Sequence, residues 1–165
     1  MRQQFALKIL DLLMEGKRIL AIDETWFGET NYNRRSWQTT PNQESQRNNI
    51  FQPRITIMAA IDNYGDAYLS LLQTNNNQYT YTEFIRELTK RLDSERPDWR
   101  QNTIWLVDGA KMHTTEMVKE IYRIMKVPCI VAPPYSWNLM APEKWHSMFK
   151  SEELNPTGKA MTKSK

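Results

Sequence analysis

Cysteine and histidine are scarce in this chain of 165 residues, and their scarcity limits the kinds of site that it can build. Cys129 is the only cysteine, which excludes an intramolecular disulfide and a cysteine-based zinc site. The two histidines are His113 and His146. Any metal site must therefore be built mostly from oxygen ligands, and carboxylates are the natural candidates.

Long apolar runs and a strong excess of one charge are also absent. No stretch reaches the roughly 20 apolar residues that a membrane span needs, and the N-terminus has no apolar segment with a small-residue cleavage site. These absences predict an intracellular protein that does not enter membranes. The net charge of +3, with a pI of about 9.0, permits nucleic-acid binding but does not establish it.

The apolar residues make up 40% of the chain, include six tryptophans and indicate a packed core. The length fits one domain over residues 1–150, followed by a polar, frayed tail at 151–165. Helical periodicity predicts a leading helix over 1–16, and the polar segment 28–54 predicts a hairpin-like excursion. Further patterns predict strands at 17–27, 55–62, 67–72, 103–107 and 127–132. They also predict helices that begin near Thr80, in a capping box with Glu83, near Thr114 or Thr115, and near Pro142.

The order of these elements indicates the fold class. Three strands come first, and helices then alternate with two further strands, which predicts a mixed five-stranded sheet flanked by helices. We therefore expect an α/β protein with the ribonuclease H-like fold. In such a sheet, parallel neighbouring strands deliver the residues at their carboxyl ends to the same edge, where ligands bind.

Two aspartates are expected at that edge, one within the first predicted strand and one at the end of the fourth. Asp23 comes after the apolar run 19–22, and Asp108 comes after Val107. Held close together, the two carboxylates repel each other, and a divalent cation such as Mg²⁺ or Mn²⁺ removes that repulsion. We therefore expect Asp108→Asn without metal to be no less stable than the wild type. Glu143 is the best third ligand, because the first turn of a helix favours an ionised carboxylate.

Three segments around these carboxylates resemble the signature blocks of the mariner superfamily of DNA transposases. They read AIDETWF from residue 21, LVDGAKMH from residue 106 and PPYSWNLMAPEKWHSMFK from residue 133. Between Asp108 and Glu143 lie 34 residues, the spacing of the family's Asp-Asp-Glu subtype, and the resemblance spans about residues 1–150. The chain departs from the family's second block at Gly109 and from its third block at Trp137, Asn138, Met140, Ala141 and Pro142.

The resemblance implies a transposase-type catalytic core that cleaves DNA phosphodiester bonds and transfers strands. Asp23, Asp108 and Glu143 would form the catalytic triad and hold two Mg²⁺ or Mn²⁺ ions, with Asp23 as the bridging ligand. The implied partners are DNA, as transposon ends and target, and a second copy of the chain in a homodimer. Mariner-type transposases carry end-binding helix-turn-helix modules ahead of the core, for which this sequence has no room. Three alternatives fit: the chain is a fragment, a separated catalytic subunit that works with a separate DNA-binding chain, or a host-adopted relic. The implied location is the nucleus in a eukaryote and the cytoplasm otherwise.

Basic side chains that flank the three blocks are the expected contacts to DNA phosphates. Glu24 should point to the opposite side of its strand from Asp23 and is interpreted as structural. We interpret His146 as a solvated histidine on the same helix face as Glu143. The candidate DNA contacts are Arg34, Arg35, Lys111, His113, Lys144 and Lys150. His113 would either contact the substrate or order the site, and a plain polar contact at the helix entry is an equal alternative.

Two other functions compete with this hypothesis. A catalytically inactive, host-adopted transposase relic would serve as a structural or interaction subunit. The altered third block and the missing end-binding modules favour it, whereas the survival of all three carboxylates disfavours it. A ribonuclease H-like nuclease that acts on RNA–DNA hybrids would share the triad but not the three blocks, and the fold alone does not separate these functions.

Overall fold

The computed structural model describes residues 2–27, 55–136 and 139–149. The excursion predicted at 28–54 and the tail predicted at 151–165 lie outside the described residues. In chain order the described elements are α1 (Arg2–Met14), β1 (Arg18–Phe27), β2 (Ile55–Asp62), β3 (Ala67–Leu72), α2 (Gln78–Glu95), α3 (Trp99–Asn102), β4 (Thr103–Val107), a 3₁₀ helix (Lys111–Thr114), α4 (Glu116–Ile124), β5 (Cys129–Val131) and α5 (Ala141–Phe149). None of the described helices has the length and apolar character that a membrane crossing requires.

The five strands form one mixed sheet in the order β3-β2-β1-β4-β5. The central strand β1 pairs antiparallel with β2 and parallel with β4. The two outer pairs follow the same division, because β2 and β3 are antiparallel and β4 and β5 are parallel. The predicted mixed five-stranded α/β architecture is confirmed.

Alternate residues of β1 pack on opposite faces of the sheet, because side chains along a strand point alternately to its two sides. On the α2 face, Leu20 and Ile22 lie in a core cluster with residues of α2 and α4. On the α1 face, Ile19 and Ala21 lie in a second cluster with residues of α1. All four side chains are at most 7% exposed, so this part of β1 is buried on both faces, which is the usual environment of a continuous apolar run in a strand.

The start of α2 differs from the sequence-based prediction. The pattern placed a capping box on Thr80 and Glu83, but α2 begins at Gln78 and its N-cap is Asn77. The Asn77 side-chain oxygen accepts the N–H groups of Tyr79 and Thr80 at 2.8 and 3.1 Å, and the Thr80 hydroxyl accepts the N–H of Asn77 at 2.9 Å. Asparagine caps a helix as well as threonine does, so the box closes three residues earlier than expected.

Replacing the observed N-cap should cost more than replacing the residue that the sequence pattern favoured. We expect Asn77→Ala to lower the free energy of unfolding by about 1 kcal/mol, because two backbone N–H groups lose their acceptor. Glu83→Ala, at an exposed side chain, should change it by less than about 0.5 kcal/mol, because the observed box does not use this carboxylate. Urea unfolding followed by circular dichroism measures both values. Equal losses in the two variants would contradict the assignment of Asn77 as the cap.

Candidate active site

Parallel pairing of β1 with β4 brings two aspartates to the same edge of the sheet. Ile22 and Val107 are register partners, and Asp23 and Asp108 directly follow them. Both aspartates line a cleft of about 280 Å³ that Glu143 of α5 also lines. The structure therefore brings together the three carboxylates that the sequence predicted. The remaining residues that line the cleft are Gly109, Ala110, Ala132, Pro133, Pro134, Tyr135, Ser136 and Met140.

Two side chains of α5, Glu143 and His146, lie next to Asp23. Glu143 and His146 are three residues apart and therefore lie on the same face of the helix, and α5 packs against β1. Glu143 is exposed, whereas His146 is only 6% exposed, and its Nδ1 lies 3.3 Å from Oδ2 of Asp23. The interpretation of His146 as a solvated histidine is wrong, because this part of the polar face of α5 is turned toward β1.

The side chains around Asp23 form a compact set of potential metal ligands. One ligand atom from each of Asp23, Glu143 and His146 lies within 4.8 Å of the other two. The second Asp23 oxygen, Oδ1, accepts the N–H of Glu24 at 2.8 Å, which fixes the orientation of the carboxylate. Carboxylate oxygens and an imidazole nitrogen are donors that divalent cations accept, so this end of the cleft fits a cation.

Asp108 is held by a buried imidazole. Nδ1 of His113 lies 2.5 Å from Oδ1 of Asp108, and Nε2 of His113 lies 2.6 Å from Oε1 of Glu24. The His113 side chain is fully buried and stacks on Tyr81, with the ring centroids 4.3 Å apart. Glu24 lies on the α2 face, as strand alternation predicted, so His113 connects a carboxylate on that face with the cleft at the edge of the sheet.

The electrostatics of this triplet favour a protonated His113 imidazole and an ionised Asp108 carboxylate. Burial by itself would lower the pKa of His113, but the hydrogen bonds with Asp108 and Glu24 outweigh it and raise the pKa to about 10. For Asp108, burial by itself would raise the pKa, but the hydrogen bonds with His113 and with the N–H of Ala110 outweigh it and lower the pKa. The fold therefore stabilises ionised Asp108.

This removes the basis for expecting Asp108→Asn to be as stable as the wild type, and we now expect a loss of stability.

The expected DNA contacts have different positions in the structure. His113 is buried with both ring nitrogens engaged, so it orders the site from within and does not offer a DNA contact. Lys111 and Lys144 are exposed and lie beside residues that line the cleft. The candidates that fall outside the described residues are Arg34, Arg35 and Lys150.

Sequence reasoning missed the contact between Glu24 and His113. Strand alternation directed Glu24 away from Asp23, but it named no partner, because the two residues are 89 positions apart. A signal was available nonetheless. A carboxylate on the buried side of a central strand requires a hydrogen-bonding or charged partner, and the chain has only two histidines to offer.

The fold and the cleft together define the class of protein, which is an α/β domain with three carboxylates in a cleft at the edge of its sheet. The family model for DDE superfamily endonucleases matches residues 18–163, and the chain belongs to this family. The matched region includes all three carboxylates of the cleft. Among curated proteins, none matches the chain.

Solved structures of the Mos1 mariner transposase share this fold. Its catalytic domain gives a TM-score of 0.60 over 98% of this chain and 69% of that chain, at 19% identity. Two Mos1 paired-end complexes, with Mn and with Mg, each give a TM-score of 0.66 at 23% and 26% identity, over 99% and 92% of this chain. The chain covers 49% and 47% of those transposase chains, about half of their length. The ribonuclease H-like fold and the resemblance to a mariner-type core are confirmed.

Removing the imidazole should destabilise the fold through Glu24. We expect His113→Phe to lower the free energy of unfolding by about 3 kcal/mol, because it leaves a buried carboxylate without its partner. The Glu24 side chain is 12% exposed and Asp108 is 42% exposed, so most of the cost should come from Glu24. Chemical unfolding measures this loss.

The matched control is a double-mutant cycle that adds Glu24→Gln and the double variant His113→Phe/Glu24→Gln. The double variant should regain at least half of the loss, because no ionised carboxylate is then buried without a partner. Strictly additive effects of the two substitutions would contradict the pairing of Glu24 with His113.

Proposed function

We propose that the chain is a transposase-type catalytic core that cleaves DNA phosphodiester bonds with divalent metal ions and transfers the resulting strand ends. The observation that carries this proposal is the convergence of Asp23, Asp108 and Glu143 on one cleft in a chain of the DDE endonuclease family. The similar solved structures include a paired-end complex and a strand transfer complex of the Mos1 transposase. They support DNA, as transposon ends and as target, as the partner of this chain.

Two Mg²⁺ or Mn²⁺ ions are the proposed cofactors. Similar Mos1 complexes contain Mn or Mg, and the cleft offers the oxygen donors that these ions prefer. Asp23 would be the ligand shared by both ions, with Glu143 on one side and Asp108 on the other. When bound, such ions supply an activated nucleophile and stabilise the charge that develops in an in-line displacement at phosphorus.

Two packing arrangements prepare the carboxylates for this task. The imidazole of His113, braced by Glu24, favours the ionised form of Asp108 and fixes one of its oxygens. The packing of α5 against β1 places Glu143 beside Asp23. Ligands that are already ionised and positioned need little rearrangement to accept a cation, so a metal ion would bind at a lower cost.

The flanks of the cleft supply contacts to the DNA backbone in this proposal. Lys111 and Lys144 are exposed cations next to the cleft, and phosphate contacts position a duplex without reading its sequence. Recognition of the transposon ends would come from DNA-binding modules outside this catalytic core, on the same protein or on a separate chain. A homodimer would bring two ends together, and the protein would act in the nucleus of a eukaryote or in the cytoplasm otherwise.

Nicking of supercoiled plasmid DNA tests the proposed chemistry. In Mn²⁺ or Mg²⁺ the wild type should produce nicked circles, and Asp23→Asn or Glu143→Gln should slow nicking by more than about 100-fold. The reason is that several kcal/mol of transition-state stabilisation would be lost with a metal ligand. Glu87→Gln is the matched control, because Glu87 is an exposed acidic residue of α2 that does not line the cleft.

The outcomes of this assay separate the rival functions. A folded wild type that binds metal but leaves every DNA substrate intact would contradict the proposal and favour a structural or interaction subunit. Cleavage of the RNA strand in an RNA–DNA hybrid, with plasmid DNA left intact, would instead identify a hybrid-specific nuclease.

Metal binding should also stabilise the folded chain. A cation that binds only the native state raises the free energy of unfolding by about 2.7 kcal/mol at a hundredfold excess over its Kd. We expect millimolar Mn²⁺ to raise the Tm of the wild type in calorimetry and EDTA to reverse the increase. Asp23→Asn should lose most of this response, because Asp23 would contact both ions. A wild-type Tm that does not respond to Mn²⁺ would argue against any cation site in the cleft.

A further inference from the structure

We propose that His146 is a third ligand of the cation held by Asp23 and Glu143, and that this cation is a transition metal, Mn²⁺ or Zn²⁺, in preference to Mg²⁺. The inference rests on the proposed function, because it assigns one of the two ions. The sequence led us to expect three carboxylates as the complete ligand set. The geometry adds a nitrogen donor, His146, to the ligands Asp23 and Glu143 of one of the two ions.

The position of His146 in α5 brings its imidazole to Asp23. The residue lies one turn after Glu143 on the same face of the helix, and its Nδ1 is 3.3 Å from Oδ2 of Asp23. The three potential ligand atoms lie within 4.8 Å of one another. Two ligands on opposite sides of an ion are about 4 Å apart when each bond is about 2.0–2.2 Å, so small side-chain rotations would close this set on a cation.

The burial of His146 shows that its imidazole is incompletely satisfied by the protein. The residue is 6% exposed, and its Nε2 is buried without a hydrogen-bond partner in the part of the chain that the structure describes. A buried polar atom without a partner costs about 1–3 kcal/mol. Histidine is the commonest nitrogen ligand of metal ions in proteins, and Nδ1, the ring nitrogen that faces Asp23, would be the ligand atom, so binding a cation gives this costly burial of the ring a use.

The second cation position has a different donor set. Asp108 is outside the three-residue cluster, and its Oδ1 contacts His113 and the N–H of Ala110. The position next to Asp108 therefore offers oxygen donors from Asp108 and Asp23, which suit Mg²⁺ as well as Mn²⁺. The position next to His146 combines nitrogen and oxygen donors, for which transition metals have the higher affinity.

Pulsed EPR of bound Mn²⁺ tests the ligand directly, because an imidazole nitrogen on the ion produces a measurable nuclear coupling. The untagged chain has only two histidines, so a few variants assign the signal. We expect nitrogen coupling in the wild type and in Asp108→Asn, and its loss in His146→Gln. The Kd for Mn²⁺ in His146→Gln should rise by about tenfold or more. The Kd for Mg²⁺, measured by competition, should change by less than about threefold because Mg²⁺ gains little from nitrogen.

The variant His146→Phe separates a loss of metal binding from a loss of folding. It replaces a buried imidazole with an apolar ring, so its metal-free Tm should not fall below that of the wild type. Weaker Mn²⁺ binding at an unchanged Tm supports ligation by His146. Nitrogen coupling that persists in His146→Gln, or that is absent from a wild type with bound Mn²⁺, overturns this inference and leaves the proposed function standing. A wild type that binds no Mn²⁺ at all overturns both.

Discussion

The alternation of side chains along β1 is the constraint on which the rest of the site depends. Helices cover both faces of the sheet, so this strand buries apolar residues on its two sides as far as Ile22, where its parallel pairing with β4 ends. There it presents two adjacent carboxylates to different surroundings, Asp23 toward α5 and Glu24 toward His113. A shift of the strand register by one residue would exchange them and dismantle both contacts at once.

The two carboxylates of β1 consequently take part in two separate polar systems. The Glu24 system is closed, meaning that its contacts are made within the protein. The buried, protonated imidazole of His113 lies between the side chains of Glu24 and Asp108 and hydrogen-bonds to both. The Asp23 system is open toward the cleft and contains exposed Glu143. The closed system links β1 to the residue that follows β4 through His113, while the open one places carboxylates in the cleft where a cation would bind.

Much of this arrangement could be predicted from the sequence because it depends on local patterns. Apolar runs that end in aspartate, a helix start at the third carboxylate and the spacing between blocks were sufficient to place Asp23, Asp108 and Glu143 in one cleft. The contacts of His113 and His146 could not be predicted in the same way. They depend on how closely a 3₁₀ helix and α5 approach β1, which is decided by packing between elements that are distant in the chain.

The start of α2 shows the same limit at a smaller scale. Threonine and asparagine compete as caps with similar strength, so the sequence pattern alone placed the box three residues too late.

The closed triplet of Glu24, His113 and Asp108 also affects how the evolution of such a domain can be interpreted. Each member hydrogen-bonds to another and adds to the stability of the fold, so selection for a stable fold alone would favour all three in a lineage that had stopped cutting DNA. Glu143 is exposed and lies outside that triplet. Its retention in relatives is therefore the more informative record of catalysis, whereas the second aspartate would persist long after activity was lost.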